Sequence, residues 1–116
     1  MLNEVKIINN IYMSNEIIIA ATTFSSEEKA LECSREMIGK GLASCAQVNG
    51  PIKSIYKWEN KICEEDEWTV ELKTSQSKIK ELKESILLNH EYEVPQWIYH
   101  KATASAGYSR WIEDMN

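Results

Sequence analysis

No stretch of this chain is apolar enough to cross a bilayer. The strongest run, Ile17 to Ala21, falls far short of the ~20 residues a spanning helix needs. The start, Met1-Leu2-Asn3-Glu4-Val5-Lys6, lacks the basic region and long apolar segment of a secretion signal. The three cysteines, Cys33, Cys45 and Cys63, show no CxxC or other close metal-type spacing. An odd count with no signal points to reduced thiols and a cytoplasmic protein. Cationic patches are missing too: the 13 basic residues are scattered or interleaved with acids, and net charge is −5. That argues against nucleic acid, which needs concentrated positive charge. No Ser-His-Asp logic, Gly-rich phosphate loop or distinguishable carboxylate pair appears, so the chain does not read as an enzyme. No repeat or linker divides it, and 116 residues with 43% apolar content suit one domain.

What the chain does have is period-2 patterning. Trp68-Thr69-Val70-Glu71-Leu72-Lys73-Thr74 alternates strictly, the pattern of a strand with one buried face. It pairs naturally with Ile52-Lys53-Ser54-Ile55-Tyr56-Lys57-Trp58 across a turn at Glu59-Asn60-Lys61. A strand from Ile62 to Thr74 would span about 40 Å, while a compact domain of this length is only ~35 Å across. The hairpin should overhang its own domain, and an overhang needs a partner.

The remaining pattern fills in around the hairpin. Glu16 to Thr22 is an apolar run with three isoleucines in succession, which favours a strand covered on both faces or central to a sheet. Ser25 or Ser26 can cap a helix that carries Ala30, Leu31, Ser34, Met37, Ile38 and Leu42 and stops at Gly39 or Gly41. Cys45-Ala46-Gln47-Val48 begins the next strand, which Gly50-Pro51 should bend or bulge. Ser75 or Ser77 can cap a second helix with Ile79, Leu82 and Ile86 inward, ending near Asn89-His90 before Pro95. Trp97 to His100 is a short fourth strand, and Ala104 to Glu113 a terminal helix with Tyr108, Trp111 and Ile112 on one side. Residues 1–15 read as a polar, Asn-rich N-terminal extension, with disorder one of its readings, and 16–116 as the domain. The expected fold is α+β: a ferredoxin-like βαββαβ sandwich with a long central hairpin and a C-terminal helix.

Four ordered segments resemble the CutA family of divalent-cation tolerance proteins. They are Ala21-Thr22-Thr23-Phe24, Gly41-Leu42-Ala43-Ser44-Cys45, Ile52 to Ile62 (similar to S-x-Y-x-W-x-G-K), and His90-Glu91-Tyr92-Glu93-Val94-Pro95 (similar to H-P-Y-E-x-P). Tyr108 and Trp111 follow at the family's spacing. The resemblance implies a homotrimer, similar in architecture to PII-type signalling proteins, with a role in tolerance of divalent metals such as copper. It also implies a polar cleft near the subunit interface. Trp58, Lys61, Glu67, Lys73, Tyr92, Tyr108 and Trp111 match that set, as does Glu93. Departures from the family pattern are Asn60 for Gly, Glu91 for Pro and Gln96 for Glu. Ala21 and Asn89 stand where the family offers a Cys and a further His.

Two readings stand beside each other at His90-Glu91-Tyr92-Glu93. His90 and Glu93 can contact copper, zinc or another divalent cation, because imidazole with oxygen suits such ions. Alternatively His90 ends a helix, bonding free carbonyls and answering the dipole. The acidic run Glu64-Glu65-Asp66-Glu67 lacks the spacing and turn glycine of a calcium loop and reads as a solvated strand edge. Cys33 and Cys45 should pack as small apolar residues, and Cys63 should be the exposed thiol. No cofactor is obligatory. The expected partners are the chain itself and a divalent metal or small ligand, with no nucleic acid and no membrane. A PII-like small-ligand sensor or trimeric scaffold is the alternative to metal tolerance.

Overall fold

A computed structural model describes residues 15–114. The extension expected over residues 1–15 lies outside the described residues except for Asn15, whose carbonyl accepts from Ala104 N at 2.9 Å. The elements run β1 (Glu16–Phe24), α1 (Glu27–Gly39), β2 (Cys45–Trp58), β3 (Lys61–Thr74), α2 (Ile79–Leu88), β4 (Ile98–Thr103) and α3 (Ala106–Asp114). The strands form one antiparallel sheet in the order β2-β3-β1-β4, the ferredoxin-like arrangement expected.

Alternation along β1 and β3 decides which face is buried. Ile18, Ala20 and Phe24 lie opposite Thr74, Leu72 and Trp68, and these even-numbered positions point to one face. There they meet Ala30 and Met37 of α1 and Leu82 and Ile86 of α2 in a single cluster. Ser34 interrupts the apolar stripe of α1 without penalty because its hydroxyl donates to Ala30 O at 2.8 Å. Ile17 and Ile112 are also buried but outside that cluster. They belong to the opposite face, across which α3 lies, tied down by Ser44 Oγ donating to Ile112 O at 2.5 Å.

Caps explain the first helix. Ser26 accepts from Lys29 N at 3.2 Å, with Glu27 and Glu28 in the first turn where the macrodipole favours acids. At the other end Gly41 adopts φ 72°, Gly41 N donates to Ile38 O and Leu42 N to Met37 O. This pair of bonds is a Schellman motif. The second helix differs from expectation. Ser75 and Ser77 bond each other at 3.0 Å instead of capping, and Lys78 occupies the cap position with no side-chain bond. The fourth strand and last helix both begin later than their sequence pattern suggested, at Ile98 and Ala106.

The hairpin overhangs as its length demands. Its turn is the two residues Glu59 (φ 50°) and Asn60 (φ 65°), the paired positive φ of a type I′ turn. β1 covers β3 only from Trp68 onward, so from Lys61 to Glu67 the hairpin is a bare two-stranded ribbon. The molecule measures 54 × 26 × 22 Å, with a radius of gyration of 16.5 Å. A compact chain of this length would have about 13 Å. A register shift between Asn49 and Ile52, next to Gly50-Pro51, marks where the ribbon leaves the domain.

Candidate functional site

The site sits at the root of that ribbon, around one buried carboxylate. Glu67 is the last β3 residue before the covered sheet and is 9% exposed. Ser54 Oγ donates to its Oε1 at 2.6 Å, and the Tyr92 hydroxyl donates to its Oε2 at 2.9 Å. Burial and the Glu67 carboxylate push the Tyr92 phenol well above its ordinary value, so it stays a donor. The neighbouring pair repeats the device: Tyr56 donates to Glu65 Oε1 at 2.6 Å, which pushes its hydroxyl to about 12. Ser54 and Tyr56 each reach their carboxylate diagonally across the β2–β3 ladder, two residues along β3 from their direct partners Glu65 and Cys63.

The loop carrying Tyr92 is held by His90. Its ring stacks on Phe24, with centroids 4.3 Å apart and planes inclined by 11°. Nδ1 accepts from Tyr92 N at 3.0 Å, while Nε2 lies 2.9 Å from Thr23 O and 3.1 Å from Thr22 Oγ1. An accepting Nδ1 fixes the neutral tautomer, with Nε2–H donating to the Thr23 carbonyl. Desolvation lowers the imidazole below its usual value, which keeps it neutral. Glu91 clamps the same loop to the start of α1. It accepts from Ser25 N and Ser25 Oγ, each at 2.7 Å, and lies 3.8 Å from Lys29 Nζ. Burial pushes its carboxyl up, but the two Ser25 bonds and Lys29 more than offset this and hold it below the usual range.

These groups surround an open cleft of about 580 Å³. Trp58, Glu67, Tyr92 and Glu93 of the expected set line it, and Tyr56, Cys63 and Glu65 join them. Cys63 is half-buried like the other two thiols, not the exposed one expected. The acidic run read as a solvated edge contributes two of its four residues to the cleft. Counting pairs outward from the Glu59-Asn60 turn would have shown this, because it places Ser54 opposite Glu65 and Tyr56 opposite Cys63.

The rest of the expected set lies elsewhere. Lys61 pairs with Trp58 at the hairpin tip and does not line the cleft. Lys73 is six residues beyond Glu67 along β3, about 20 Å away, where it bonds Gln47 Oε1 and lies 3.8 Å from Glu71. Tyr108 and Trp111 stack on each other at 5.9 Å near Cys45, the residue opposite Lys73. One subunit therefore holds two separate groups, one at the middle of β3 around Glu67 and one at its C-terminal end around Lys73.

The residues near His90 do not fit a resident metal. Both ring nitrogens already have partners, and among the described residues no three His, Cys, Asp or Glu side chains converge on a point.

A model of the family described as CutA1 divalent ion tolerance protein matches residues 18–115. The chain belongs to that family. Relatives agree. It is 39% identical over 79 residues to the divalent-cation tolerance protein CutA of Thermotoga maritima, covering 68% of this chain and 77% of that one. It is 30% identical over 98 residues to the chloroplastic protein CutA of Arabidopsis thaliana, covering 84% of this chain but only 54% of that longer one. The crystal structure of the divalent ion tolerance protein CutA1 from Ehrlichia chaffeensis superposes with a TM-score of 0.83 at 28% identity, covering 89% and 96% of the two chains. The CutA1 frame thus accounts for the α+β sheet with three helices and for its long hairpin.

Proposed function

We propose that this CutA1-family chain acts in divalent-cation tolerance as a cytoplasmic homotrimer that binds its ligand in the cleft beside Glu67 and meets copper or a similar ion only weakly. The observation that carries this reading is the cleft itself, built on a buried carboxylate at the root of a ribbon that one subunit leaves uncovered. An isolated two-stranded ribbon is marginal in water. Ile55 and Ile62 on its one face are 66% and 77% exposed, and Trp58 on the other is 53% exposed. The edge strand β4 adds Ile98 and Tyr99 at 60% and 53%. Apolar surface of this kind on strand edges is covered by other copies in symmetric assemblies. Assembly also offers a way to unite the two separated groups, setting Lys73, Tyr108 and Trp111 of one copy beside Trp58, Glu67 and Tyr92 of another. The three free cysteines fit a reducing, cytoplasmic compartment.

The reading is of a binding protein and not an enzyme: Glu67 and Glu65 accept bonds from hydroxyls that remain protonated, which suits holding a ligand. Metal contact falls to Glu93, which has no bonded partner among the described residues, with His90 joining only if it gives up Tyr92 N or Thr23 O. Titration of copper followed by calorimetry tests this. Weak heats that fall further in Glu93→Gln are expected, and unchanged heats would remove Glu93 from the account. His90→Ala alone is a poor probe, because it also removes the Phe24 stack and the loop bond. The small-ligand reading is favoured by one observation, the cleft volume, which lies in the range of small-molecule pockets and far above what a bare ion fills.

A further inference from the structure

We infer that the counter-charge of Glu67 is Lys73 of a neighbouring copy, and that this ion pair sets the register in which copies assemble. The inference rests on the proposed reading that assembly covers the cleft, and it names the contact that does so. Glu67 is 9% exposed, and its two bonded partners, Ser54 and Tyr92, offer neutral hydroxyls. None of the ion pairs among the described residues reaches it. In one chain the open cleft of about 580 Å³ leaves water within reach of the carboxylate. A second copy laid over that cleft removes the water, and a carboxylate buried without a cation is costly. The covering surface must therefore bring a positive charge.

Placement and burial point to Lys73 as that charge. It shares the odd-numbered face of β3 with Glu67, the side of the sheet opposite α1 and α2. Its side chain is only 14% exposed, whereas Lys29, Lys40 and Lys53 are all roughly half exposed or more. Less rotamer freedom is therefore lost when Lys73 is fixed in a contact. Within its own chain it bonds the neutral Gln47 and lies 3.8 Å from the well-exposed Glu71, a weak pairing in water. Six residues of extended strand, about 20 Å, keep it from Glu67 of the same chain. Part-exposed aromatics flank both charges: Trp58 lines the cleft with Glu67, and Tyr108 and Trp111 stack near Cys45, opposite Lys73. Brought together, these rings exclude water from the pair, as aromatic residues do at interface centres. Because Glu67 and Lys73 belong to different patches, the contact is head-to-tail. An open row of copies leaves one Glu67 and one Lys73 unpaired, and a closed ring leaves none.

The test is sedimentation of the full chain at micromolar concentration, with circular dichroism read on each sample. Glu67→Lys and Lys73→Glu each set like charges against each other, and each should shift the mass from the assembly towards the 13.4 kDa chain. The double variant restores opposite charges with the ends exchanged, and it should recover the native mass. Glu67→Gln, which removes the charge at nearly the same size, should raise the dissociation constant about 30-fold or more. Charge-reversed variants that assemble like the native chain overturn the inference and leave the assembly standing. Single variants that dissociate with no recovery in the double also overturn it, because each charge then acts alone. Where a reversed charge prevents folding, Glu67→Gln, Lys73→Met and their double variant decide. Losses that fail to add support the pair, and additive losses overturn it. A native chain that sediments at 13.4 kDa overturns both the inference and the assembly.

Discussion

His90 shows how one side chain holds a wall of the cleft. Its ring is stacked on Phe24, donates to Thr23 and accepts from Tyr92, so that the tyrosine hydroxyl arrives at Glu67. Protonation would turn Nδ1 from an acceptor into a donor facing the Tyr92 N–H, and the bond would be lost. The sign of the pH effect follows from the lowered folded-state value. The unfolded chain takes up the proton near pH ~6.5 while the native ring still resists it. Stability is therefore complete above that value and declines as pH falls below it, levelling off once the native ring is charged. Thermal unfolding between about pH 7.5 and about pH 5.5 should show a larger loss for the native chain than for His90→Gln. Equal slopes would mean that His90 does not hold the loop. Glu91 acts in a separate, more acidic window, because its depressed carboxyl loses its contribution only as pH falls through the carboxylate range. The residue type at position 90 was legible in sequence. Its role was not, since stacking on Phe24 and bonding to Thr23 join residues 66 and 67 positions apart.

Among the elements, strands were easier to read than helix starts for a physical reason. Period-2 alternation at Trp68 to Thr74 reports a buried face directly, and the structure puts Val70, Leu72 and Thr74 fully inside. Serines near a helix start carry no such constraint. Ser26 caps α1, yet Ser75 and Ser77 satisfy each other and leave α2 to begin without a side-chain cap. Gly50 was expected at a bend, and the structure adds a packing reason. A Cβ there would lie 2.4 Å from Trp68 Cδ1, 2.7 Å from Trp68 Cγ and 3.0 Å from Glu67 O. Gly50→Ala must displace the Trp68 indole and crowd the Glu67 carbonyl. Overpacking of this kind destabilises by about 1–3 kcal/mol. Urea unfolding followed by tryptophan fluorescence should show that loss. A variant as stable as the native chain would mean that the ribbon root is slack.

At the scale of the whole molecule, the sheet and its core make a complete domain, whereas the ribbon does not. It carries the cleft residues Tyr56, Trp58, Cys63, Glu65 and Glu67 on one face and the exposed Ile55 and Ile62 on the other. The expected cleft set is split between the middle of β3, at Glu67, and its C-terminal end, at Lys73, because six residues of extended strand hold the two about 20 Å apart. Sequence could name the members of that set through family resemblance. It could not show that Trp58, Glu67 and Tyr92 share a cleft while Lys73, Tyr108 and Trp111 lie apart, because that division depends on register and on the path of α3. Self-association is what makes the divided set and the bare ribbon intelligible together. Sedimentation equilibrium at micromolar concentration tests it most directly. The account predicts three times the 13.4 kDa chain mass; a single species at 13.4 kDa would contradict it.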